Sequence, residues 1–237
     1  MASPTADTIR MEPPSDSGAK RSPLVPRRRG AEPYDTVLWR LQSRVEQRHG
    51  AGFLVGVTSC MRRAGVSTLA ANLAIRAADH QLTPALLVDC NAAHPQVDRE
   101  FRLQGARGLA DLLAGECELE EAVHPTNVEG LEVMPLGTTG LIDRASVEPR
   151  RLEGLVRSLG ESHEYVVFDL PPADDMRHAL LVAKQLDAVL MAVGSEVTPR
   201  GLAKKSIDLL RSDGVSFAGA VVTRQKKHVP GWFGRML

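Results

Sequence analysis

A chain of 237 residues, 43% hydrophobic and 24% charged, is long enough for one domain with a sizeable core plus a tail. Lys plus Arg balance Asp plus Glu at 29 each, so no overall charge points to nucleic acid as a partner. No apolar run approaches the ~18 residues of a membrane span. The N-terminus has no signal-peptide core, and three cysteines (Cys60, Cys90, Cys117) do not make a disulfide framework, so the chain reads as cytoplasmic.

The balanced total conceals an uneven distribution. Residues 1–33 carry a net +2, are rich in Pro and Ser, and contain the run Arg27-Arg28-Arg29. With few apolar side chains to bury, this stretch reads as a disordered arm. From Tyr34 the pattern changes: Tyr34, Val37, Leu38, Leu41 and Val45 recur at helical spacing and predict a helix over 34–47. Trp39 on that helix reads as cover for a sheet edge. Apolar strands then alternate with helices. Strands are expected at 53–58, 85–89, 131–136, 165–169, 188–193 and 217–223, and helices at 67–79, 108–114, 151–159, 176–185 and 200–210. Near-continuous apolar strands interleaved with helices imply an α/β fold, a mainly parallel sheet with helices on both faces. The domain is placed at 34–223. Residues 224–237 carry a net +4 with Trp232 and Phe233 among the basic side chains. This tail reads either as a frayed end or as a short contact for an anionic membrane surface.

In such sheets ligands bind beyond the carboxyl ends of the strands, which directs attention to 59–68, 89–95 and 169–172. The first of these, between a strand and a helix, can be laid against the phosphate-binding pattern G-x-x-x-x-G-K-[ST]. Gly65 stands at the second glycine, and Ser67 and Thr68 form the hydroxyl pair. Cys60 replaces the first glycine and Val66 the lysine. The candidate nucleotide-binding loop is thus Cys60, Met61, Arg62, Arg63, Ala64, Gly65, Val66, Ser67 and Thr68. Backbone N–H groups at a helix start can cradle an anion without help from side chains. What Val66 removes is the ammonium that neutralises β- and γ-phosphates, a loss of ~10²–10³ in rate for a direct electrostatic stabiliser. Asp89 and Asp169 each end an apolar strand. They read either as Mg²⁺ ligands with Ser67, and as catalytic carboxylates if the site is active, or as caps of the segments that follow. Arg62 and Arg63 offer a substitute positive charge, at the cost of bulk beside the ligand.

The order of motifs resembles the bacterial tyrosine kinases of capsule and exopolysaccharide synthesis, relatives of the Mrp, MinD and ParA ATPases. Thr58-Ser59, Gly65-Val66-Ser67-Thr68 and Asn72-Leu73-Ala74 are similar to that family's T-S-x-x-P-G-E-G-K-S-T-x-x-x-N-L-A. Leu87-Val88-Asp89-Cys90-Asn91 through Pro95 resembles L-I-D-x-D-x-R-x-P. The stretch Gly108 through Gly115 is similar to G-L-x-D-x-L-x-G, and Tyr165 through Pro172 to Y-D-x-V-I-I-D-T-P-P. The resemblance implies a three-layer P-loop NTPase-like fold, ATP and Mg²⁺ as cofactors, self-association, and a membrane polysaccharide co-polymerase whose cytoplasmic segment is the partner. The departures fall on the chemistry: Arg62 and Arg63 for proline and glycine, Val66 for lysine, Asn91 for the second acid, Ala93 for arginine, and Thr223 for the asparagine that contacts the base. Tyr34 and Tyr165 are the only tyrosines, so the C-terminal tyrosine cluster of autophosphorylating members is absent. Three functions follow from these motifs. They are a catalytically degenerate regulatory or scaffold subunit of exopolysaccharide synthesis or export, a working tyrosine autokinase or ATPase using Arg62 or Arg63, and a partitioning-type ATPase.

Overall fold

The computed structural model describes residues 8–10, 32–44, 52–79, 84–138, 148–176, 179–195 and 197–224. Most of the arm, the predicted helix end at 45–47 and the tail from 225 onward lie outside the described residues. The strands are β1 (Thr8–Arg10), β2 (Phe53–Ser59), β3 (Ala85–Asp89), β4 (His124–Pro125), β5 (Leu131–Met134), β6 (Tyr165–Asp169), β7 (Ala188–Gly194) and β8 (Phe217–Thr223). They form one sheet in the order β1-β8-β7-β2-β6-β3-β5-β4. Every pair is parallel except β4 with β5.

The fully apolar strands are buried on both sides, as a covered parallel sheet requires. Alternate residues feed two separate cores. On one face Phe53, Val55, Val57, Leu87, Tyr165 and Val167 pack with α1 (Glu32–Arg44), α2 (Val66–Ala78) and α3 (Val97–Glu100). On the other, Leu54, Leu86, Val88, Val166, Phe168 and Met191 meet α4 (Leu109–Ala114), α6 (Pro149–Ser162), α7 (Leu180–Ala183) and α8 (Arg200–Ser212). Helix α5 (Leu119–Ala122) contributes Ala122 to that second core. The three-layer arrangement is the one expected from the strand and helix pattern.

Helix α2 packs close to the sheet because its inward positions are small: Ala70, Ala71, Ala74 and Ala77 are all buried. Arg76 at its end donates to Asp35 of α1 at 2.7 Å and also pairs with Asp79, which ties the two helices together. Helix α1 buries Val37, Leu38 and Leu41, whereas Trp39 is 66% exposed. The expectation that Trp39 covers the sheet edge is therefore corrected: at 100° per residue it lies about 150° around the helix from the centre of the face formed by Val37, Leu38 and Leu41. Within the stretch read as a disordered arm, Thr8–Arg10 forms β1 beside Ala220–Val222 of β8. An extended β-branched pair can take the unpaired edge groups of an outermost strand. The helix predicted over 176–185 is reduced to the single turn α7, preceded by a 3₁₀ turn at Ala173–Asp175 that follows Pro171-Pro172. Pro cannot continue a hydrogen-bonded ladder, so the chain turns there before any helix begins.

The G-L-x-D stretch owes its form to one buried carboxylate. Asp111 is fully buried and accepts the N–H of Gly108 at 2.9 Å and of Thr138 at 3.2 Å. Gly137 has φ +84°, and a Cβ there would stand 2.1 Å from Asp111 Oδ2. Burial raises the Asp111 pKa, but the Thr138 and Gly108 hydrogen bonds and the nearby Arg107 outweigh it and leave the carboxyl below its ordinary value.

Candidate functional site

The C-terminal ends of β2, β3, β6 and β8 frame a cleft of about 480 Å³. Its floor is the loop from Ser59 to Val66. Thr58 at the end of β2 donates to the Pro171 carbonyl at 2.6 Å, and Ser59 donates to the Met61 carbonyl at 2.7 Å, which turns the chain out of the sheet. Two residues in the turn are left-handed, Arg63 at φ +62° and Gly65 at φ +87°. Gly65 is then the residue before α2, so the first free N–H groups of that helix face the loop. The Thr223 hydroxyl donates to the Ala64 carbonyl across the cleft at 2.5 Å, clasping the end of β8 to the loop.

Of the nine loop residues predicted from sequence, Arg62, Arg63, Gly65, Val66, Ser67 and Thr68 line the cleft; Cys60, Met61 and Ala64 do not. Cys60 is buried, and burial raises its thiol pKa. Val66 is half-buried and packs against the core under α1 and α2. Ser59, Asn91, His94, Leu170 and Pro172 join from the strand ends already singled out. Gln96, Asp175 and Arg224 complete the wall and were not expected. No sequence spacing connects them to the loop; only the strand order brings them there. Arg62 makes one long ion pair with Asp175, 3.7 Å apart with both side chains more than half exposed. Arg224, like Arg63, is left-handed, with φ +56°.

Asp89 and Asp169 face each other as register partners on β3 and β6, both fully buried. They sit beneath the cleft and do not line it. Asp89 Oδ1 accepts the Asn91 N–H at 2.9 Å, and Oδ2 accepts those of Gln96 and Val97 at 3.2 Å each. It therefore folds the segment between β3 and α3, the capping role that sequence alone left open. Burial pushes its pKa up to about 6 even against those three donors. Asp169 has no hydrogen-bond partner on either oxygen. Burial first, then the Asp89 charge, push it well above the ordinary carboxyl range; the Ser67 hydroxyl acts in the opposite direction without closing a hydrogen bond. Of the three residues proposed for Mg²⁺, Ser67 alone is on the cleft wall. Among the described residues no cluster of three or more His, Cys, Asp or Glu side chains converges on a metal position. No helix among them is long and apolar enough to cross a membrane.

No family model matches the chain. The tyrosine-protein kinase YwqD of Bacillus subtilis (strain 168) is 26% identical over 212 residues, which is 88% of each chain. The crystal structure of the chimerical protein CapA2B2 superposes with a TM-score of 0.72 at 25% identity, covering 84% of this chain and 86% of that one. The septum site-determining protein MinD of Pyrococcus horikoshii OT3, solved with Mg-ADP, shares the fold with a TM-score of 0.62 at 19% identity, over 78% of this chain and 76% of that one.

Proposed function

We propose that this chain is a member of the bacterial tyrosine-kinase family of P-loop ATPases, with the fold it shares with MinD, and that it is a regulatory or scaffold subunit without turnover of its own. The observation that carries this reading is Val66. It occupies the first position of α2, where a P-loop lysine would extend to the phosphates, and its isopropyl group is instead packed on the core. No rotamer of valine supplies a charge. Asp89 is engaged by backbone N–H groups, and burial and then the Asp89 charge disfavour the ionised form of Asp169, so neither is a free general base. Tyr165 is sealed in the core with its phenol pKa pushed up by burial, which makes it a poor phosphate acceptor.

In this reading the protein acts in exopolysaccharide or capsule synthesis or export, docked on the cytoplasmic segment of a membrane polysaccharide co-polymerase. Similarity to YwqD and to the CapA2B2 chimera supports that context. The basic, aromatic tail at 224–237 would add contact with the inner membrane surface. ATP with Mg²⁺ is the ligand class that the fold implies, and the residues present fit it in part: the loop and Ser67 are in place, the unpartnered Asp169 oxygens lie next to Ser67, and Asp89 is held by backbone N–H groups. A working autokinase or ATPase is the second reading, favoured by Arg62 and Arg63 on the cleft wall.

ATP and ADP titrations by calorimetry with Mg²⁺, paired with a turnover assay, separate the two readings. The expected result is no hydrolysis or autophosphorylation by the wild type, and Mg-nucleotide binding strengthened at least tenfold in Val66→Lys. Phosphate release or phosphotyrosine formation by the wild type, abolished in Arg62→Ala/Arg63→Ala, would overturn the scaffold reading.

A further inference from the structure

We propose that the outer edge of β8 is a pairing surface for the same edge of a second copy of this chain, and that the strand β1 holds it closed. The two ends of the sheet are protected in different ways. At one end β4 is two residues long, runs antiparallel to β5 and ends in Pro125. Proline offers no N–H to a further strand, so that edge is closed by its own sequence. At the other end β8 has seven residues, Phe-Ala-Gly-Ala-Val-Val-Thr, with no charged side chain and no proline. An edge of that kind is a template for another strand.

Two features shield it, each over a different part. Phe217 is the register partner of Val189 on β7, and Gly219 that of Leu190. Ala218 is therefore an extra residue, a bulge that bends the first part of β8 out of line for a further strand. Beyond the bulge the register is regular, and there β1 lies, with Thr8, Ile9 and Arg10 opposite Ala220, Val221 and Val222. The cover falls on the stretch that the bulge leaves open. β1 in its turn makes a poor template, being three residues long and carrying Arg10.

The cover on β8 is removable, unlike the proline of β4. Three residues make a short ladder, and among the described residues β1 is outermost, so its departure breaks no other strand pair. The backbone groups of Ala220–Val222 that it occupies are then open. A second copy fits them. Two β8 edges related by a two-fold axis meet antiparallel, with no like charges opposed and the same donors and acceptors on both sides. None of this depends on what the cleft binds.

The test is sedimentation equilibrium of the full chain over a wide range of concentration, with hydrogen exchange of single amides in parallel. In a parallel ladder alternate residues turn their N–H groups to a given neighbour. Ile9→Pro and the pair Thr8→Pro/Arg10→Pro between them therefore remove every donor that β1 offers to β8. Detachment is read in dilute protein as exchange about tenfold faster at those amides of Ala220–Val222 that face β1. Unchanged exchange at Val55–Val57 in the central strand shows that the fold is intact. The detached variant is expected to associate about tenfold more tightly than the wild type, and its edge amides to regain protection as concentration rises. Adding Val222→Lys, a charge at a half-buried position of the edge, is expected to return association to the wild-type value. Detachment without tighter association, association that survives Val222→Lys, or exchange unchanged in both proline variants overturns the proposal. A wild-type assembly that the prolines break apart means that copies exchange their β1 strands, and overturns it as well.

Discussion

Replacing Arg63 by glycine should make the protein more stable and its cleft weaker. Arg63 is held at φ +62°, a conformation that costs an L-residue about 1–2 kcal/mol relative to glycine. Against this gain stands the greater freedom of glycine in the unfolded chain, about 0.5–1 kcal/mol. The guanidinium is exposed on the cleft wall, and no packing is lost with it. The net is a stabilisation of about 0.5–1 kcal/mol. For a domain of this size that corresponds to a rise of about 1–4 °C in Tm, with a matching shift of the urea midpoint at constant slope. Arg63→Ala serves as the control: it removes the same charge but keeps the Cβ, and no gain is expected. A lower Tm for Arg63→Gly, or an equal gain in both variants, would refute the argument that backbone strain is stored at this position.

Further predictions concern the buried acids. Burial, and then the Asp89 charge, raise the Asp169 pKa well above the ordinary carboxyl range, so the folded state holds its proton to higher pH than the unfolded chain does. Stability from this group is therefore present at low pH and declines as pH rises above about 4. Asp169→Asn does not titrate, so its advantage over the wild type should widen between pH 5 and pH 8 in urea unfolding; an advantage that narrows would contradict the burial argument. Asp111→Ala leaves the buried N–H groups of Gly108 and Thr138 without their acceptor. A loss of about 2–4 kcal/mol is expected, and a loss below ~1 kcal/mol would show that the 108–138 junction is held by other contacts.

Strands Ala85–Asp89 and Tyr165–Asp169 have the ends predicted from their apolar runs, because a strand buried on both faces cannot admit a polar residue without marking its boundary; the half-buried Phe217–Thr223 has its predicted ends as well. Strands β1 and β4 and helices α3 and α5, of two to four residues each, escaped prediction. Elements this short complete no period of hydrophobicity and exist only because neighbouring structure offers them partners. The site divides in the same way. The loop was legible from Gly65, Ser67 and Thr68 following a strand, since its chemistry is local. Gln96, Asp175 and Arg224 were not, because they reach the loop only through the order of strands in the sheet. The role of Asp89 was ambiguous in sequence for a different reason: a carboxylate at a strand end looks the same whether it holds a cation or a turn. Its three backbone donors favour the turn.

The hydroxyl clasp from Thr223 to Ala64 has a mechanical meaning for the rest of the chain. The residue after the clasp, Arg224, already lines the cleft, so the last of the described residues stands at its rim. The hydroxyl of Thr223 thus holds the end of β8 and the loop before α2 at a fixed spacing, so the width of the cleft is set by a bond between two chain segments 159 residues apart.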